Sequence, residues 1–593
     1  MTLLGLYGVH PVVFPSRFLA FDDLPEGSAT SGPAAGAREE GWSGESAAED
    51  DGEDGAWRAR LFAVWQPVLA RLSLPRAAAA QAAGRALATG TSFPQELMAS
   101  GVVAEADLYR AIADAFGLGF LAALDDEVVL VDPDRQMRSL RRRRGLGVAM
   151  INPSGGRAGY VLADPAIDLV RLGKFLGRFP DVRASLSIAP PSALRAAVIA
   201  RNARQLLFDA QHQLLLRAPE FCARTVVTAS QGAAVIAAMV LCILLLWLAP
   251  AATWLALGAI GSVGFSLCVA LRLLAWSSAG PPRVRRAWPA DPAEQPVYSV
   301  LVALYRESEV VPQLLAALAR LQWPRSKLEI KLVCEADDGE TLAALGRHRL
   351  RPEVELVLVP PGLPRTKPKA LAYALPLCSG EFVTLYDAED RPNPLQLVEA
   401  WQRFRDEPAE VACLQAPLVV TNGRASALSS MFLFEYAALF RGILPWLAGR
   451  GLVLPLGGTS NHFRRAALDE VGGWDAYNVT EDAELGLRLA RYGYRTGVIA
   501  RPTFEDAPET LAVWLPQRVR WFKGWMRRVV KSYNNLKKRE KWILLTLELY
   551  HSNIIATNQV DISGPQWAKL ATSTTREPAR QYPQLDLVPE LGR

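Results

Sequence analysis

The stretch Glu381-Phe-Val-Thr-Leu-Tyr-Asp-Ala-Glu-Asp390 decides the fold of this chain. Its first half is apolar and β-prone, and it stops abruptly at three carboxylates within four residues, Asp387, Glu389 and Asp390. The residues Arg391-Pro-Asn-Pro394 that follow interrupt any further regular structure. The pattern predicts a buried strand that delivers acids to the edge of an open α/β sheet, where such folds bind their ligands.

Carboxylates this close together repel one another unless a cation lies among them. An all-oxygen set that leaves positions open for phosphate oxygens suits Mg²⁺ or Mn²⁺. Taken alone, the stretch is better explained as an acidic turn after a strand. The neighbouring segments are what favour a site.

Two upstream segments repeat the order of strand, acids and helix. A predicted strand at 298–305 is followed by a helical pattern of leucines, and a second strand at 328–334 ends in Glu335-Ala-Asp-Asp-Gly339. Strands that alternate with helices predict parallel winding and an α/β fold.

With these motifs in this order, residues 296–530 resemble the catalytic domain of cellulose synthase-like family-2 glycosyltransferases. The resemblance implies a GT-A fold, which is Rossmann-like and doubly wound, a nucleotide-diphosphate sugar as donor, in particular a UDP-sugar, and Mg²⁺ or Mn²⁺ as cofactor. It puts Asp387 and Glu389 in the metal-binding place. The family usually has Asp-x-Asp there, so Glu389 and the adjacent Asp390 both stay open as the second ligand.

The resemblance also implies a donor site. Asp337 and Asp338 would hold the nucleoside part, and Lys369 is favoured over Lys367 as the lysine near the diphosphate. Arg520 would fork onto the leaving diphosphate. The full set of expected donor-binding residues is Tyr305, Glu307, Asp337, Asp338, Lys369 and Arg520.

The segment Thr480-Glu481-Asp482 resembles the family's general-base motif. A sugar hydroxyl is a poor nucleophile, so a carboxylate within hydrogen-bond reach must take its proton, and Asp482 is expected in that role. Glu481 is expected beside the acceptor. Capping of the following helix by Asn478 or Thr480 would explain the acidity without catalysis, but the other motifs favour catalysis.

The segment Gln517-Arg-Val-Arg-Trp521 matches the family's Gln-x-x-Arg-Trp motif. On a helix Gln517, Arg520 and Trp521 share one face. Gln517 and Trp521 are expected to bind the acceptor, because an indole ring accommodates the flat apolar side of a sugar. Anchoring of this helix at lipid headgroups is an alternative, and one helix can do both.

The membrane segment is the next feature. Residues 225–271 contain no charged side chain, and 225–275 are predicted to form two transmembrane helices with a turn at 249–252. Arginines on both flanks predict that both ends face the cytoplasm. We therefore expect a multi-pass protein of the bacterial inner membrane, with cytoplasmic N-terminal and catalytic domains. The apolar segment 429–447 is predicted either to lie against the membrane or to be a buried helix.

The N-terminal part divides in two. Residues 1–56 read as a disordered acidic leader, and residues 57–210 resemble the N-terminal domain of type II secretion ATPases. Strands are predicted in the latter at 127–131, 147–151 and 159–163. Some domains of that family bind cyclic di-GMP, yet the repeated Arg-Leu-Gly motif is not clearly present. The run 141–144 of four arginines suits phosphates or a solvated loop, and ligand binding stays open.

Composition sets further limits. A length of 593 residues predicts several domains, and a net charge of +5 gives no reason to expect a nucleic-acid partner. The six scattered cysteines favour neither a disulfide framework nor a zinc site. Residues 531–593 change in composition and are predicted to be an atypical, partly disordered tail without the membrane helices of a polymer channel, which leaves activity itself open.

These observations predict inverting transfer of a sugar to a polysaccharide acceptor in exopolysaccharide synthesis. Transfer of one sugar to a polyprenyl phosphate is an alternative that the missing channel helices favour. A non-catalytic membrane receptor or scaffold that senses cyclic di-GMP is the alternative outside enzymes.

Overall fold

The computed structural model describes residues 53–124, 133–141, 147–151, 159–224, 229–277, 291–478 and 480–532. The predicted leader 1–56 and tail 531–593 therefore lie almost wholly outside the described residues, as do the predicted strand at 127–131 and three of the four arginines at 141–144. Two compact units are present, which meet along the chain between Arg201 and Asn202.

The first unit is a small α+β domain. Helices with apolar faces surround Trp65, Leu97, Leu108 and Ile112, all of which are buried. The strands at 147–151 and 159–163 form as predicted. The elements are α1 (Glu53–Leu69), α2 (Arg76–Thr89), α3 (Phe93–Ser100), α4 (Glu105–Phe116), β1 (Gly119–Phe120), α5 (Pro133–Leu140), β2 (Gly147–Ile151), β3 (Gly159–Ala163), α6 (Leu169–Arg178) and β4 (Leu186–Ile188), with the sheet order β1-β4-β3-β2.

One helix leads from the first unit into the second. This helix, α7 (Pro191–Arg217), begins among residues of the first unit and ends in the second. In the second unit Gln211 donates a hydrogen bond to the Leu363 carbonyl oxygen at 2.7 Å. Just beyond the helix, Asp475 accepts hydrogen bonds from the Ala223 amide and from the Cys222 thiol.

The apolar segment forms two helices, α8 (Ala229–Leu248) and α9 (Pro250–Ser277), broken at the predicted turn. Their large apolar side chains are exposed along most of their length, for example Trp247 and Leu255. The end of α9 differs, because Cys268, Leu271 and Ala275 are buried against other residues of the second unit, among them Phe440 and Leu447. By length and composition, α9 and the segment Ala427–Gly449 could each cross a membrane.

The second unit is built on a seven-stranded mixed sheet. Its strands, in order across the sheet, are Arg495–Val498 (β13), Val411–Gln415 (β10), Asn461–Arg464 (β12), Phe382–Tyr386 (β8), Tyr298–Leu304 (β5), Leu328–Glu335 (β6) and Val354–Val359 (β7). Between Tyr298 and Tyr386 the elements are β5 (Tyr298–Leu304), α10 (Val311–Leu318), β6 (Leu328–Glu335), α11 (Gly339–Gly346), β7 (Val354–Val359), α12 (Lys367–Ala374) and β8 (Phe382–Tyr386). These four strands are parallel, and the strand order reverses between β5 and β8. Open α/β sheets bind their ligands at such a switch point, beside the carboxyl ends of the strands. The predicted α/β fold with parallel strands is thus confirmed, and β12 adds antiparallel pairing to the same sheet.

The second half of the unit adds an antiparallel strand and a small second sheet. Since β12 runs antiparallel to β8, the residues that precede β12 lie beside the carboxyl end of β8. A separate three-stranded sheet consists of Leu418–Val420 (β11), Thr503–Glu505 (β14) and Arg391–Pro392 (β9), in this order across the sheet. The elements are β9 (Arg391–Pro392), α13 (Gln396–Asp406), β10 (Val411–Gln415), β11 (Leu418–Val420), α14 (Ala427–Tyr436), α15 (Leu444–Gly449), β12 (Asn461–Arg464), α16 (Arg465–Glu470), α17 (Glu481–Arg491), β13 (Arg495–Val498), β14 (Thr503–Glu505) and α18 (Leu511–Ser532).

The helix α14 continues into α15 through a π-helical turn, Ala437–Ile443. Such turns occur most often at functional sites. The buried side chains Phe440, Ile443 and Leu447 pack against the buried end of α9. This stretch is therefore in part a buried helix, as one of the two sequence interpretations held.

Candidate active site

Two adjoining cavities open at the switch point of the sheet. The larger has a volume of about 450 Å³ and the smaller about 340 Å³. They share a wall formed by Arg365, Thr366, Lys367, Asp387, Glu389 and Arg520. The motifs that are far apart in the sequence therefore meet at one place.

The strand β8 supplies the carboxylates of the shared wall. Its side chains are all buried, and the chain leaves the sheet at Asp387, so that Asp387 and Glu389 line both cavities. Asp390 lines neither of them and is only 1% exposed. It accepts hydrogen bonds from the Asp387 amide at 2.7 Å and from the Thr459 hydroxyl. Of the two candidates for the second ligand, Glu389 is thus the one that faces the cavities.

Burial and the neighbouring negative charges raise the pKa values of Glu389 and Asp390. Burial, and next the charge of Asp387, raises the pKa of Glu389, while Lys367 and Arg520 lower it. Burial and the charges of Asp387 and Glu505 raise the pKa of Asp390 well above its usual range. One Asp390 oxygen, Oδ1, is buried without a hydrogen-bond partner among the described residues. Burial and repulsion therefore favour the neutral, protonated forms of Glu389 and Asp390.

Lys367 is the principal cation of the shared wall. Thr366 caps α12 by accepting from the Lys369 amide, which places Lys367 at the first helical position beside the sheet edge. The Lys367 ammonium group contacts Asp387 Oδ1 and donates to the Gly458 carbonyl oxygen at 2.8 Å. Burial alone would lower the pKa of Lys367, but the charges of Asp387, Glu481 and Asp482 raise it above its usual range. The ammonium ion stays charged.

Lys369 lies away from the shared wall, and the preference for it over Lys367 as the lysine near the diphosphate stays a prediction. The Lys369 side chain is fully buried and forms an ion pair with Glu335 at 2.7 Å. It also donates to the Gly362 carbonyl oxygen at 3.0 Å. Lys369 lines neither cavity formed by the described residues, because position 369 of the helix faces the core and position 367 faces the sheet edge.

The other expected donor residues divide into two groups. Tyr305 and Glu307, which follow β5, line the smaller cavity. Burial, and next the charges of Glu389 and Asp387, raises the pKa of Glu307 to about 8. Asp337 and Asp338 line neither cavity within the described part of the chain, and their contact with the nucleoside stays a prediction.

These two aspartates nevertheless hold neighbouring segments in place. Asp337 pairs with Arg365 at 2.6 Å, and Arg365 lines both cavities. Asp338 caps α11 by accepting from the Thr341 amide at 3.3 Å, and it accepts from the Arg306 amide at 2.6 Å. Asp338 thereby ties the residues after β5 to those after β6.

Asp482, the expected general base, lies at the larger cavity. Glu481 and Asp482 form the first turn of α17, and both line that cavity but not the smaller one. Thr480 occupies the N-cap position without a side-chain capping bond. Burial, and next the charge of Asp482, raises the pKa of Glu481 to about 7, while Lys367 lowers it. The acids of this turn therefore face the larger cavity.

The helix α18 presents the predicted face. Gln517, Arg520 and Trp521 line the larger cavity, and Arg520 also lines the smaller one. The Gln517 Oε1 atom is buried and has no hydrogen-bond partner among the described residues. A buried amide oxygen of this kind is available to a hydroxyl group of a ligand.

The glycine-containing turn before β12 forms another part of the lining of the larger cavity. Gly457, Gly458 and Thr459 line the larger cavity, and the Thr459 hydroxyl lies 3.2 Å from the Asp387 amide that donates to it. Thr459 lies next to Asp387 because β12 pairs antiparallel with β8, which places the residues before β12 beside the residues after β8.

Two groups near the site were not found from the sequence. Glu505, at the end of β14, lies near the acids of β8, and burial and the charges of Asp387 and Glu389 raise its pKa to about 8. Glu435, on α14, lines the larger cavity and pairs with Arg518. Neither segment carries a motif, since both are brought to the site by the second sheet and by helix packing.

The residues present fit a divalent cation bound together with a phosphate ligand. No group of three acidic, histidine or cysteine side chains converges as a ready cation cage among the described residues. Mg²⁺ seldom needs one, because it is usually held by one or two carboxylates together with substrate phosphates and water. Asp387 and Glu389, with their mutual repulsion and their open side, suit that mode.

Part of the second unit is similar to a known protein family. Residues 382–574 match the family described as glycosyl transferase family group 2. The match extends past residue 530, the predicted end of the catalytic domain, into residues outside the described part. The prediction of a glycosyltransferase is confirmed at the level of this domain.

Three curated relatives are similar over the same region. Probable glycosyltransferase YdaM of Bacillus subtilis is 25% identical over 46% of this chain and 67% of its own length. Beta-monoglucosyldiacylglycerol synthase of Synechocystis is 26% identical, over 40% and 50%. Poly-beta-1,6-N-acetyl-D-glucosamine synthase of Staphylococcus epidermidis is 26% identical, over 42% and 59%. The chain thus spans about half to two thirds of the length of the curated relatives it matches.

Proposed function

We propose that this protein is a membrane-bound, inverting glycosyltransferase that moves a sugar from a nucleoside diphosphate sugar to a saccharide acceptor. One observation carries the proposal. The acids and cations of the shared wall lie between two cavities, and Asp482 and Trp521 face only the larger of the two. A donor in the smaller cavity and an acceptor in the larger would meet at that wall.

The smaller cavity suits the donor. It lies at the switch point of a GT-A-like sheet, and Lys367 and Arg520 face it from two sides. Arginine can bind a phosphate with two parallel hydrogen bonds, and lysine acts as a point charge. These two residues would hold the diphosphate and stabilise it as it leaves.

The larger cavity suits the acceptor. Trp521 offers an aromatic surface for a sugar ring, and Gln517 and Glu481 offer polar atoms beside it. Asp482 would take the proton of the attacking hydroxyl group. Attack from the side opposite the diphosphate gives a β-linked product from an α-linked donor.

Asp387 and Glu389 would hold Mg²⁺ or Mn²⁺. When bound, the cation neutralises the diphosphate and makes it a better leaving group. The chain's own cations, Lys367 and Arg520, supply the rest of the positive charge at the wall.

The helices α8 and α9 would anchor the enzyme in a membrane. They expose many large apolar side chains next to one another. Water-soluble proteins rarely expose an apolar surface of this extent. The arginines on both flanks favour a cytoplasmic active site, where nucleotide sugars are made. A bacterial inner membrane is the location that we propose.

A lipid acceptor is the second candidate function. One wall of the larger cavity is apolar and includes Leu418, Leu439 and Phe440, and the last of these belongs to the helix that packs on α9. A polyprenyl phosphate or another lipid could approach along that side. The relatives favour neither acceptor, since one is named for a lipid product and another for a polymer.

A donor screen tests the proposal. Membranes that contain the full chain are incubated with Mn²⁺ and radiolabelled UDP-glucose, UDP-GlcNAc, UDP-galactose, UDP-glucuronate or GDP-mannose. We expect label from one donor in product, as ethanol-insoluble polymer or, for the second candidate, in the organic extract. No transfer and no donor hydrolysis with any of the five would contradict an enzyme and favour a scaffold.

Cyclic di-GMP binding by residues 57–210 stays a prediction. Calorimetry with cyclic di-GMP on the full chain in detergent tests it, and the absence of heat would end the sensor hypothesis.

A further inference from the structure

We propose that Arg518 is a positioning residue of this site, which fixes Trp521 and Glu435 at the acceptor side. This inference rests on the proposed function. Arg518 does not itself line either cavity formed by the described residues, whereas Trp521 and Glu435 both line the larger one. Any influence of Arg518 on transfer must therefore act through its neighbours.

The first contact is a buried, two-pronged ion pair. Arg518 Nη1 donates to Glu435 Oε1 at 2.7 Å, and Nη2 donates to Oε2. The two side chains are only 5% and 12% exposed. A paired guanidinium and carboxylate fix each other in direction as well as in distance. The pair thus sets the orientation of α18 against α14.

The second contact is with three aromatic rings. The Arg518 guanidinium carbon lies 4.5 Å from the ring centre of Phe432, 5.0 Å from that of Trp521 and 5.4 Å from that of Trp514. Trp514 and Trp521 are one helical turn before and after Arg518, so the guanidinium plane lies between them along α18. Phe432 and Trp521 are themselves 6.2 Å apart.

These contacts constrain the ring that is proposed to receive the acceptor. Without the guanidinium group, Trp521 would keep Phe432 as its neighbour but lose the planar cation against its face. Glu435 would at the same time be left as a buried carboxylate without its partner. Among the described residues, the hydrogen bonds, ion pairs and ring contacts of Lys367, Asp387 and Tyr305 are made outside this cluster, so we expect the donor side to stay unchanged.

Lysine at position 518 isolates the positioning role. Arg518→Lys keeps the positive charge but cannot form two parallel hydrogen bonds or a flat stack. Small displacements of a reacting group cost up to about 100-fold in rate. We therefore expect the rate of transfer to fall about tenfold or more, while hydrolysis of the same donor by water stays within about twofold of wild type.

The experiment compares purified full-length protein in detergent with the donor that the screen selects. Three quantities are measured: the Kd for UDP with Mn²⁺, donor hydrolysis without acceptor, and transfer to dioleoylglycerol or to an N-acetylglucosamine oligosaccharide, whichever accepts. Arg405→Lys is the matched control, because Arg405 pairs with Glu294 at 2.7 Å and lies 5.0 Å from the ring centre of Trp401, away from both cavities. The control should leave all three quantities unchanged.

An Arg518→Lys protein whose transfer and hydrolysis fall equally, or do not fall, would overturn the proposal. Should this variant fail to fold, Glu435→Gln decides by the same ratio, and failure of both to fold would assign the pair to stability alone. A wild-type protein that neither transfers nor hydrolyses any donor would instead contradict the proposed function.

Discussion

The Lys367 ammonium group contacts the carboxylate of Asp387, at the wall that the two cavities share. It donates at the same time to the Gly458 carbonyl oxygen at 2.8 Å. The chain thus supplies its own cation beside the acid that we propose as a metal ligand. Lys367 offsets part of the repulsion among Asp387, Glu389 and Glu481 before any ligand binds.

Loss of this cation should weaken donor binding. For Lys367→Gln we expect the Kd of UDP with Mn²⁺ to rise about 10- to 100-fold, which corresponds to the roughly 1.5–3 kcal/mol of a hydrogen bond to a charged group. Calorimetry measures this Kd. Lys174→Gln, an exposed lysine of the first unit, is the control. An unchanged Kd would remove Lys367 from the donor site.

Lys369 should instead matter for stability. Its ion pair with Glu335 is buried on both sides, at 0% and 4% exposure, so that Lys369→Met leaves a carboxylate uncompensated in the core. Such losses cost about 3–5 kcal/mol. We expect a clear drop in melting temperature.

The double variant Lys369→Met with Glu335→Met tests the cause. It removes both charges, and it should recover most of the lost melting temperature, because an apolar pair can replace a buried ion pair at little cost. A double variant as unstable as the single one would point to packing, and the ion pair would not be the cause.

Lys367 and Lys369 show which features of the site can be predicted from the sequence and which cannot. The strands of the parallel sheet, the acids at the end of β8 and the shared face of Gln517, Arg520 and Trp521 could all be predicted, because each depends on spacing within one element. Which of two lysines two residues apart faces the core depends on how α12 packs on β5 and β6. That packing is a property of the whole unit.

The same limit applies to Asp337, Asp338 and Asp390. These three acids at the ends of strands look alike in the sequence, but they have different partners in the structure. Asp338 caps a helix, Asp337 pairs with Arg365, and Asp390 accepts a hydrogen bond from the Thr459 hydroxyl. Glu435 and Glu505 could not be found, since elements distant in the chain bring them to the site.

Asp482 should be required for transfer and not for donor binding. For Asp482→Asn we expect turnover to fall about 10²- to 10⁴-fold, the range of a lost general base. The Kd for UDP should stay near that of wild type, since Asp482 lines only the larger cavity. Initial rates with the selected donor and calorimetry check the two parts. Turnover like that of wild type would exclude Asp482 as the base.

Glu505 should make the free protein less stable as the pH rises. Its pKa is about 8 in the fold because of burial and the nearby Asp387 and Glu389, against an ordinary value of 4.5. The folded state therefore binds this proton more tightly than the unfolded chain does. The stabilisation is complete below about pH 4.5 and is lost as the pH rises through about 8.

Thermal unfolding in EDTA between pH 5 and pH 9 measures this effect. We expect the melting temperature of wild type to fall across that range and the fall to be smaller for Glu505→Gln, which cannot ionise. Glu509→Gln, an exposed glutamate on the following loop, should behave as wild type does. Parallel curves for wild type and Glu505→Gln would contradict the expected linkage.

The carboxylates of β8 should differ in their effect on metal binding. Asp387 and Glu389 face both cavities, whereas Asp390 faces away and accepts from the Asp387 amide and the Thr459 hydroxyl. We expect EDTA to stop turnover and Mg²⁺ or Mn²⁺ to restore it. Asp387→Asn and Glu389→Gln should each raise the Mn²⁺ concentration that half-saturates UDP binding by about tenfold or more.

Asp390→Asn separates a ligand from a support. It keeps the size of the side chain, and we expect a much smaller change in the Mn²⁺ requirement together with a lower melting temperature, because the buried bonds that hold Asp387 and Thr459 are weakened. Calorimetry of UDP binding against Mn²⁺ concentration distinguishes the three variants without relying on activity. An Asp390→Asn protein that loses its Mn²⁺ dependence while Glu389→Gln keeps it would exchange the two roles, and turnover undiminished by EDTA would remove the metal from the site.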